Sequence, residues 1–213
     1  AGLALGPVNS ETYIFLDNDV KSFSSNLPIL VLDNLGVATN IPDTDAALAQ
    51  PAILSIFEPG TSGRTSLTNS FTLSTRSGIA RRGETSLRTV YKPNLAVEAW
   101  GEGVDDDVKI APLGMPAESD WVLWAPWETD PTGIRNALIY EFSNQTGNYA
   151  VRTRFVEVFM NLSGDDVSMD DYVGFYVFME KVKRGGDRVD IDDITPLDNT
   201  EPNLTGGYML AID

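Results

Sequence analysis

RTRFVEVFMN (residues 152–161) and YVGFYVFMEKVKR (residues 172–184) are the two segments that decide the fold of this chain. Residues 155–160 and 172–179 within them are rich in aromatic and β-branched side chains, which favour strands. The acidic segment SGDDVSMDD between them has the composition of a loop. We therefore predict two adjacent strands joined by an acidic connection.

The rest of the chain is predicted to add more strands to the same sheet. The segment LPILVLD (residues 27–33) is too apolar and too β-branched for a surface loop. Strand-like patterns recur in several other segments, which cover residues 12–16, 52–58, 79–83, 95–100, 120–125 and 208–212.

One strong helix is predicted between Asp130, a candidate N-cap, and Gly147, a candidate C-cap. Ile134, Leu138 and Phe142 recur at i, i+4 and i+8, which predicts that they form a buried stripe. Many strands with one principal helix predict the α+β class, with a mainly antiparallel sheet.

The net charge of the chain limits the classes of molecule that it is expected to bind. The formal net charge of −16 at pH 7 leaves no basic surface to neutralise phosphates, so nucleic acid is not expected as a partner. The same charge disfavours adsorption to anionic membranes. No apolar run approaches the roughly 18 residues that a membrane span needs, so no span is expected.

The chain contains neither cysteine nor histidine. These absences exclude disulfide frameworks, thiolate chemistry, serine–histidine hydrolases and histidine-based metal sites. Catalysis would have to use carboxylates, lysine or arginine. Phosphoryl transfer suits such a set because it depends mostly on positioning and electrostatics.

Several uncommon strings occur in an order that resembles the CotH kinase family, the spore-coat-protein-H-like atypical kinases. These strings include IARRGETSLRTVYKPNLAVEAW (79–100), LGMPAESDWVLWAPW (113–127), IRNALIYEF (134–142), the two segments quoted first and GGYMLAID (206–213). The resemblance covers residues 21–213 as an N-terminal nucleotide-binding portion, and residues 1–20 form an extension before it. It implies the N-terminal lobe of an atypical kinase, which agrees with the α+β prediction.

The resemblance also implies an activity. The family transfers the γ-phosphate of ATP, with magnesium, to serine or threonine of a protein substrate on an extracellular, cell or spore surface. Its catalytic and metal-binding aspartates lie beyond the GGY strand, so we expect this chain alone to be inactive and leave the catalytic residues unassigned. The alternative expectation is an exported structural module that self-associates by strand addition.

Four residues take nucleotide-binding roles from the resemblance: Arg82, Lys92, Glu141 and Glu180. Arg82 and Lys92 would contact phosphates, with Glu84 in the turn between them. Glu141 would pair with Lys92, and Glu180 would flank the adenine in a hinge-like segment. The residues alone leave an alternative open for each part of this site. Arg82 and Lys92 could belong to a basic hairpin, and Glu141 could be a carboxylate at the edge of the apolar helix face. The segment around Glu180 could be a strand that ends in a solvated basic turn.

Clustered aspartates, including Asp165, Asp166, Asp170 and Asp171, raise the possibility of calcium as a further cofactor. None of the clusters matches the twelve-residue calcium loop with its glycine and terminal glutamate. Solvated acidic loops are the alternative interpretation.

Overall fold

Seven strands close into a barrel in the computed structural model, which describes residues 11–43, 49–83, 91–205 and 207–209. Its order is β2-β3-β5-β6-β7-β9-β8, and β1 and β4 form a separate two-stranded sheet. The strands are β1 (Ser24–Ser25), β2 (Ile29–Asp33), β3 (Gln50–Phe57), β4 (Thr65–Ser66), β5 (Leu73–Arg82), β6 (Asn94–Trp100), β7 (Asp120–Trp124), β8 (Thr153–Asn161) and β9 (Tyr172–Glu180).

The parallel pairing of β2 with β8 closes the barrel, with Ile29 opposite Glu157 and Asp33 opposite Asn161. All the other neighbouring strands of the barrel pair antiparallel. The two strands predicted from the opening segments are β8 and β9, which are neighbours as expected.

The predicted fold class is wrong. The described chain is mostly β, a closed seven-stranded barrel with one α-helix, and not an α+β kinase lobe built on a mainly antiparallel sheet. Side-chain alternation identifies individual strands, but it does not specify whether the first and last strands of a sheet meet. That closure depends on the pairing of β2 with β8, which are far apart in sequence: Asn161 of β8 donates a hydrogen bond to Asp33 of β2, 128 residues earlier.

Apolar side chains fill the barrel and also cover part of its outer surface. The interior contains Leu30, Leu95 and the stacked rings of Trp121 and Phe178, whose centroids lie 5.2 Å apart. A second cluster, which includes Val31 and Phe159, lies outside β2 and β8. Because β2 is covered on both faces, it reads as a continuous apolar run rather than as an alternating one.

The helix α1 (Arg135–Gln145) forms within the predicted segment, but its apolar stripe is not buried. Ile134, Leu138 and Phe142 are 50%, 48% and 53% exposed, and Ala137 is the buried residue of the helix. Asp130 is not the N-cap residue of α1, since Ile134 occupies that position, but its carboxylate accepts a hydrogen bond from the backbone N–H of Arg135 at 2.8 Å. In the described ranges no helix has the length and hydropathy that crossing a bilayer requires.

Two predicted strands are not present as expected. In the first, residues 12–16, Leu16 makes an isolated bridge with Val167 and the others form no strand. In the second, residues 208–212, Tyr208 and Met209 are not in a strand, and residues 210–212 lie outside the described ranges.

Candidate functional site

A cavity of about 600 Å³ opens at the end of the barrel where β6 and β9 begin and where β7 and β8 end. One cation and several aromatic side chains dominate its wall: Lys92, Tyr91, Trp127, Tyr172, Phe175 and Tyr176. Trp127 is 69% exposed and Tyr91 is 97% exposed, so both rings are accessible. The cavity can therefore offer a positive charge and aromatic surface to the same ligand.

Lys92 lies just before β6 and reaches across to the beginning of β9. Its Nζ donates a hydrogen bond to the carbonyl oxygen of Phe175 at 2.6 Å, and it lies 4.1 Å from the centre of the Tyr176 ring. Gly174 at the start of β9 has a φ of +83°, a conformation that favours glycine.

Burial lowers the pKa of Lys92 to about 8, and the nearby charge of Glu157 partly opposes this shift. The Glu157 carboxylate accepts hydrogen bonds from the Tyr172 hydroxyl at 2.7 Å and from the Ser25 hydroxyl at 3.1 Å. Among the described residues, no carboxylate lies within ion-pair distance of Lys92. Most of its positive charge is therefore available to an anionic ligand at neutral pH.

The opposite wall of the cavity is the turn before α1. Asp130, which is 4% exposed, accepts hydrogen bonds from the backbone N–H groups of Thr132 at 3.1 Å and Arg135 at 2.8 Å. The Arg135 guanidinium also pairs with this carboxylate at 3.5 Å. Both oxygens of Asp130 are thus committed to holding the turn.

Glu180 lies at the other end of β9 and is fully buried. Its carboxylate accepts hydrogen bonds from the Arg152 backbone N–H at 2.9 Å, from the Arg152 guanidinium at 2.8 Å and from the Tyr149 hydroxyl at 3.2 Å. Arg188 adds an ion pair at 3.5 Å. The residue predicted to flank adenine is placed as a buried anchor for two arginines.

A second charged cluster, unnoticed in the sequence, lies beside Glu180. Lys183 Nζ is 2.8 Å from Glu118 and 2.6 Å from Asp120, and Lys181 is 2.9 Å from Asp120. Burial is the largest single effect and raises the pKa of each of these carboxyl groups, but their hydrogen bonds and the nearby cationic charges together outweigh it, so both pKa values are lowered. The sequence does contain a signal for this cluster. Lys181 and Lys183 are two residues apart just after β9, and alternate residues of an extended chain point to the same side.

The remaining predicted site residues do not line the cavity that contains Lys92. Arg82 ends β5 opposite Asn94 and lines a smaller cavity of about 210 Å³ on the barrel wall. Glu141 is exposed on α1 and accepts a hydrogen bond from Gln145 at 2.8 Å. The expected pair between Lys92 and Glu141 is not among the ion pairs of the described residues.

Lys92 is therefore the predicted site residue that lines the aromatic cavity, and the structure does not gather the four residues into one site. Glu84, which was predicted to lie in the phosphate-binding turn, falls outside the described residues.

The acidic loop before β9 borders a polar cavity of about 660 Å³ together with Asp17. Asp171 accepts a hydrogen bond from the backbone N–H of Ser168, and Asp19 accepts one from the backbone N–H of Met169. No group of three or more acidic side chains within the described ranges is arranged to hold a metal ion. Calcium stays an expectation from composition.

Comparison with known proteins identifies the family. Residues 79–213, more than half of the chain, match the profile of the family described as CotH kinase protein. A search of curated proteins gives no match. The chain belongs to the CotH kinase family.

Proposed function

We propose that this CotH family member binds Mg·ATP in the cavity around Lys92 and serves as the nucleotide-binding part of a kinase that phosphorylates serine or threonine in proteins. The observation that carries the proposal is the position of Lys92, a cation without a carboxylate partner among the described residues, inside an aromatic cavity. The surface location that the family resemblance implies belongs to the same proposal.

The chemistry of the cavity suits a nucleotide. Its volume of about 600 Å³ lies within the range of roughly 300–1,000 Å³ that is usual for small-molecule sites. A lysine ammonium acts as a point charge on phosphate oxygens. The exposed rings of Trp127 and Tyr91 offer flat surfaces on which a base can stack.

Magnesium fits this cavity only as a partner of the phosphates. Asp130 is the carboxylate on its wall, and hydrogen bonds from Thr132 and Arg135 already occupy both of its oxygens. Magnesium usually keeps several waters and binds substrate phosphates with one or two carboxylates. The described residues therefore support phosphate and base binding, and we assign no metal ligand to them.

Binding of Mg·ATP to the whole chain, measured by isothermal titration calorimetry, tests the proposal. Lys92→Ala is expected to weaken binding about tenfold or more, because a charge-assisted contact to phosphate is lost. Lys109→Ala is the matched control, since Lys109 is an exposed lysine away from the cavity. Equal affinities for the wild type and Lys92→Ala would refute the assignment.

The same measurement has a pH signature. Because the pKa of Lys92 is about 8, its ammonium loses its proton as the pH rises through that value. Affinity for Mg·ATP is expected to fall between pH 7 and pH 9 in the wild type. The Lys92→Ala protein should show little of this fall, and an identical pH profile in both proteins would contradict the role of Lys92.

The alternative of self-assembly by strand addition gains no support from the barrel. Each of its seven strands is paired on both sides, so the barrel presents no free strand edge. This closure favours the nucleotide-binding proposal over strand addition.

A further inference from the structure

A small polar cavity of about 360 Å³ lies between α1 and the beginning of β8. Two arginines, an asparagine and a glutamate are among the residues that line it: Arg152, Arg154, Asn144 and Glu141. Two guanidinium groups on one small cavity are unusual in a chain with a formal net charge of −16.

The charge of Arg154 is not neutralised by any described residue. Its Nε donates to the Leu113 carbonyl at 3.0 Å, and its Nη1 donates to the Thr153 carbonyl at 2.8 Å. Both acceptors are neutral, and within the described ranges no carboxylate forms an ion pair with Arg154. A guanidinium has five N–H donors, so donors remain for a ligand.

Arg152 and Asn144 can add donors to the same cavity. Arg152 uses Nη1 to reach Glu180 at 2.8 Å and the Asp187 carbonyl at 2.9 Å, and its side chain remains 35% exposed. Arg152 and Arg154 are two residues apart on extended backbone, so they lie on the same side. Asn144 Oδ1 accepts from the Ala150 N–H at 2.8 Å, which leaves the donors of its amide nitrogen for a ligand.

We infer that this cavity binds a phosphate group through Arg154, Arg152 and Asn144, separately from the cavity around Lys92. Guanidinium groups bind phosphate oxygens in pairs of parallel hydrogen bonds. Glu141 lies on the same wall and opposes the anion, so its carboxylate limits the affinity.

The two sites are separated along β9. Lys92 is bonded to Phe175, whereas Arg154 lies opposite Phe178. Phe175 and Phe178 are three residues apart on the strand, which corresponds to about 10 Å. The inference therefore goes beyond the proposed nucleotide site and does not depend on it.

Titration of the whole chain with inorganic phosphate, and separately with phosphoserine, tests the inference by calorimetry. Binding of phosphoserine but not of free phosphate would identify a phosphorylated side chain as the source of the group, and the reverse result would identify the free ion. Arg154→Gln is expected to weaken binding about tenfold or more. Arg76→Gln is the matched control, because Arg76 is an exposed arginine that also donates to a carbonyl, that of Glu102.

Glu141→Gln is a second, independent test variant. It is expected to fold normally, since Glu141 is exposed. Removing its charge is expected to strengthen phosphate binding about two- to fivefold. Lys92→Ala should bind phosphate as the wild type does, even though its affinity for Mg·ATP is expected to fall. The inference is overturned if neither ligand shows saturable binding, or if Arg154→Gln and Glu141→Gln both bind as the wild type does.

Discussion

Lys92 has an environment that favours ligand binding over stability. A backbone carbonyl and the face of Tyr176 surround its ammonium group, and burial lowers its pKa to about 8. A lysine in such a place favours the neutral form, so its charged form costs folding free energy. Residues that reduce stability in this way are typical of functional sites.

Lys92→Met should reveal this cost through its pH dependence. Between pH 8 and the ordinary lysine value of 10.5, the unfolded wild type binds the proton that the folded protein has lost. The wild type is therefore expected to gain stability relative to Lys92→Met across that window. Urea unfolding at several pH values measures the difference, and a constant difference would show that Lys92 is not buried as described.

Glu180, in contrast to Lys92, is expected to stabilise the fold. It is fully buried, and it holds Arg152 at 2.8 Å and Arg188 at 3.5 Å. Its replacement leaves Arg152 without its carboxylate and leaves Arg188 with that of Glu118 at 3.6 Å, so its effect should appear in stability.

Glu180→Gln is expected to lower the free energy of unfolding by about 3 kcal/mol or more, as breaking a buried ion pair does. Arg184→Gln is the control, because its pair with Asp193 is exposed on both sides and should contribute less than about 1 kcal/mol. Denaturant unfolding compares the two variants, and similar losses would argue against the buried network.

The helix α1 shows how periodicity can mislead. Its apolar residues recur at helical spacing, and the helix forms where it was expected. The spacing does not specify what lies opposite, and in the described structure Leu138 and Phe142 remain about half exposed. The helix is positioned instead by the turn that Asp130 organises.

Phe142→Ala is therefore expected to cost less than about 1 kcal/mol of unfolding free energy, since half of the ring is already in water. Phe178→Ala, which removes a fully buried ring of the barrel interior, should cost about 3–5 kcal/mol. Thermal and urea unfolding separate the two cases. A large loss in Phe142→Ala would mean that α1 is covered in solution.

The strand β9 connects the two charged regions of the molecule. Its beginning supplies the carbonyl that accepts from Lys92, and its end supplies Glu180. Lys181 and Lys183 follow directly and bind the carboxylates of Asp120 and Glu118. A single strand therefore fixes how far the cavity lies from the ion network.

The molecule as a whole carries a large excess of acidic side chains. Its formal net charge of −16 disfavours compaction, because like charges repel. The cluster of Lys183, Glu118 and Asp120 offsets part of this repulsion where β7 and β9 meet.

This cluster should make stability depend on pH in a defined window. The pKa values of Glu118 and Asp120 are lowered from 4.5 and 3.8, and that of Lys183 is raised from 10.5. Their contribution is therefore complete between pH 4.5 and 10.5 and is lost as the pH falls below 3.8 or rises above 10.5.

Lys183→Met is expected to be less stable than the wild type at pH 7 and to approach it in acid. Urea unfolding between pH 3 and pH 7 measures the difference. A difference that grows as the pH falls would have the wrong sign for this cluster. Val182→Ala, a neighbouring change at an exposed side chain, is a control that should show no such dependence.

The amino-acid sequence was sufficient for the local features of this protein. Apolar runs and alternation located β2 and the pair β8 and β9, and uncommon strings in order identified the family. Lys92 was singled out from the same strings, and the structure places it in a cavity. These features depend on residues that are close together in the chain.

The pairing of distant segments decided the rest. The joining of β2 to β8 closes a barrel where an α+β fold with a mainly antiparallel sheet was expected. Lys92 and Glu180 lie at opposite ends of β9. The apolar stripe of α1 is half exposed in the folded chain. Local periodicity records which side of a strand or helix is apolar, whereas closure and burial depend on contacts between residues far apart in sequence, which no local pattern encodes.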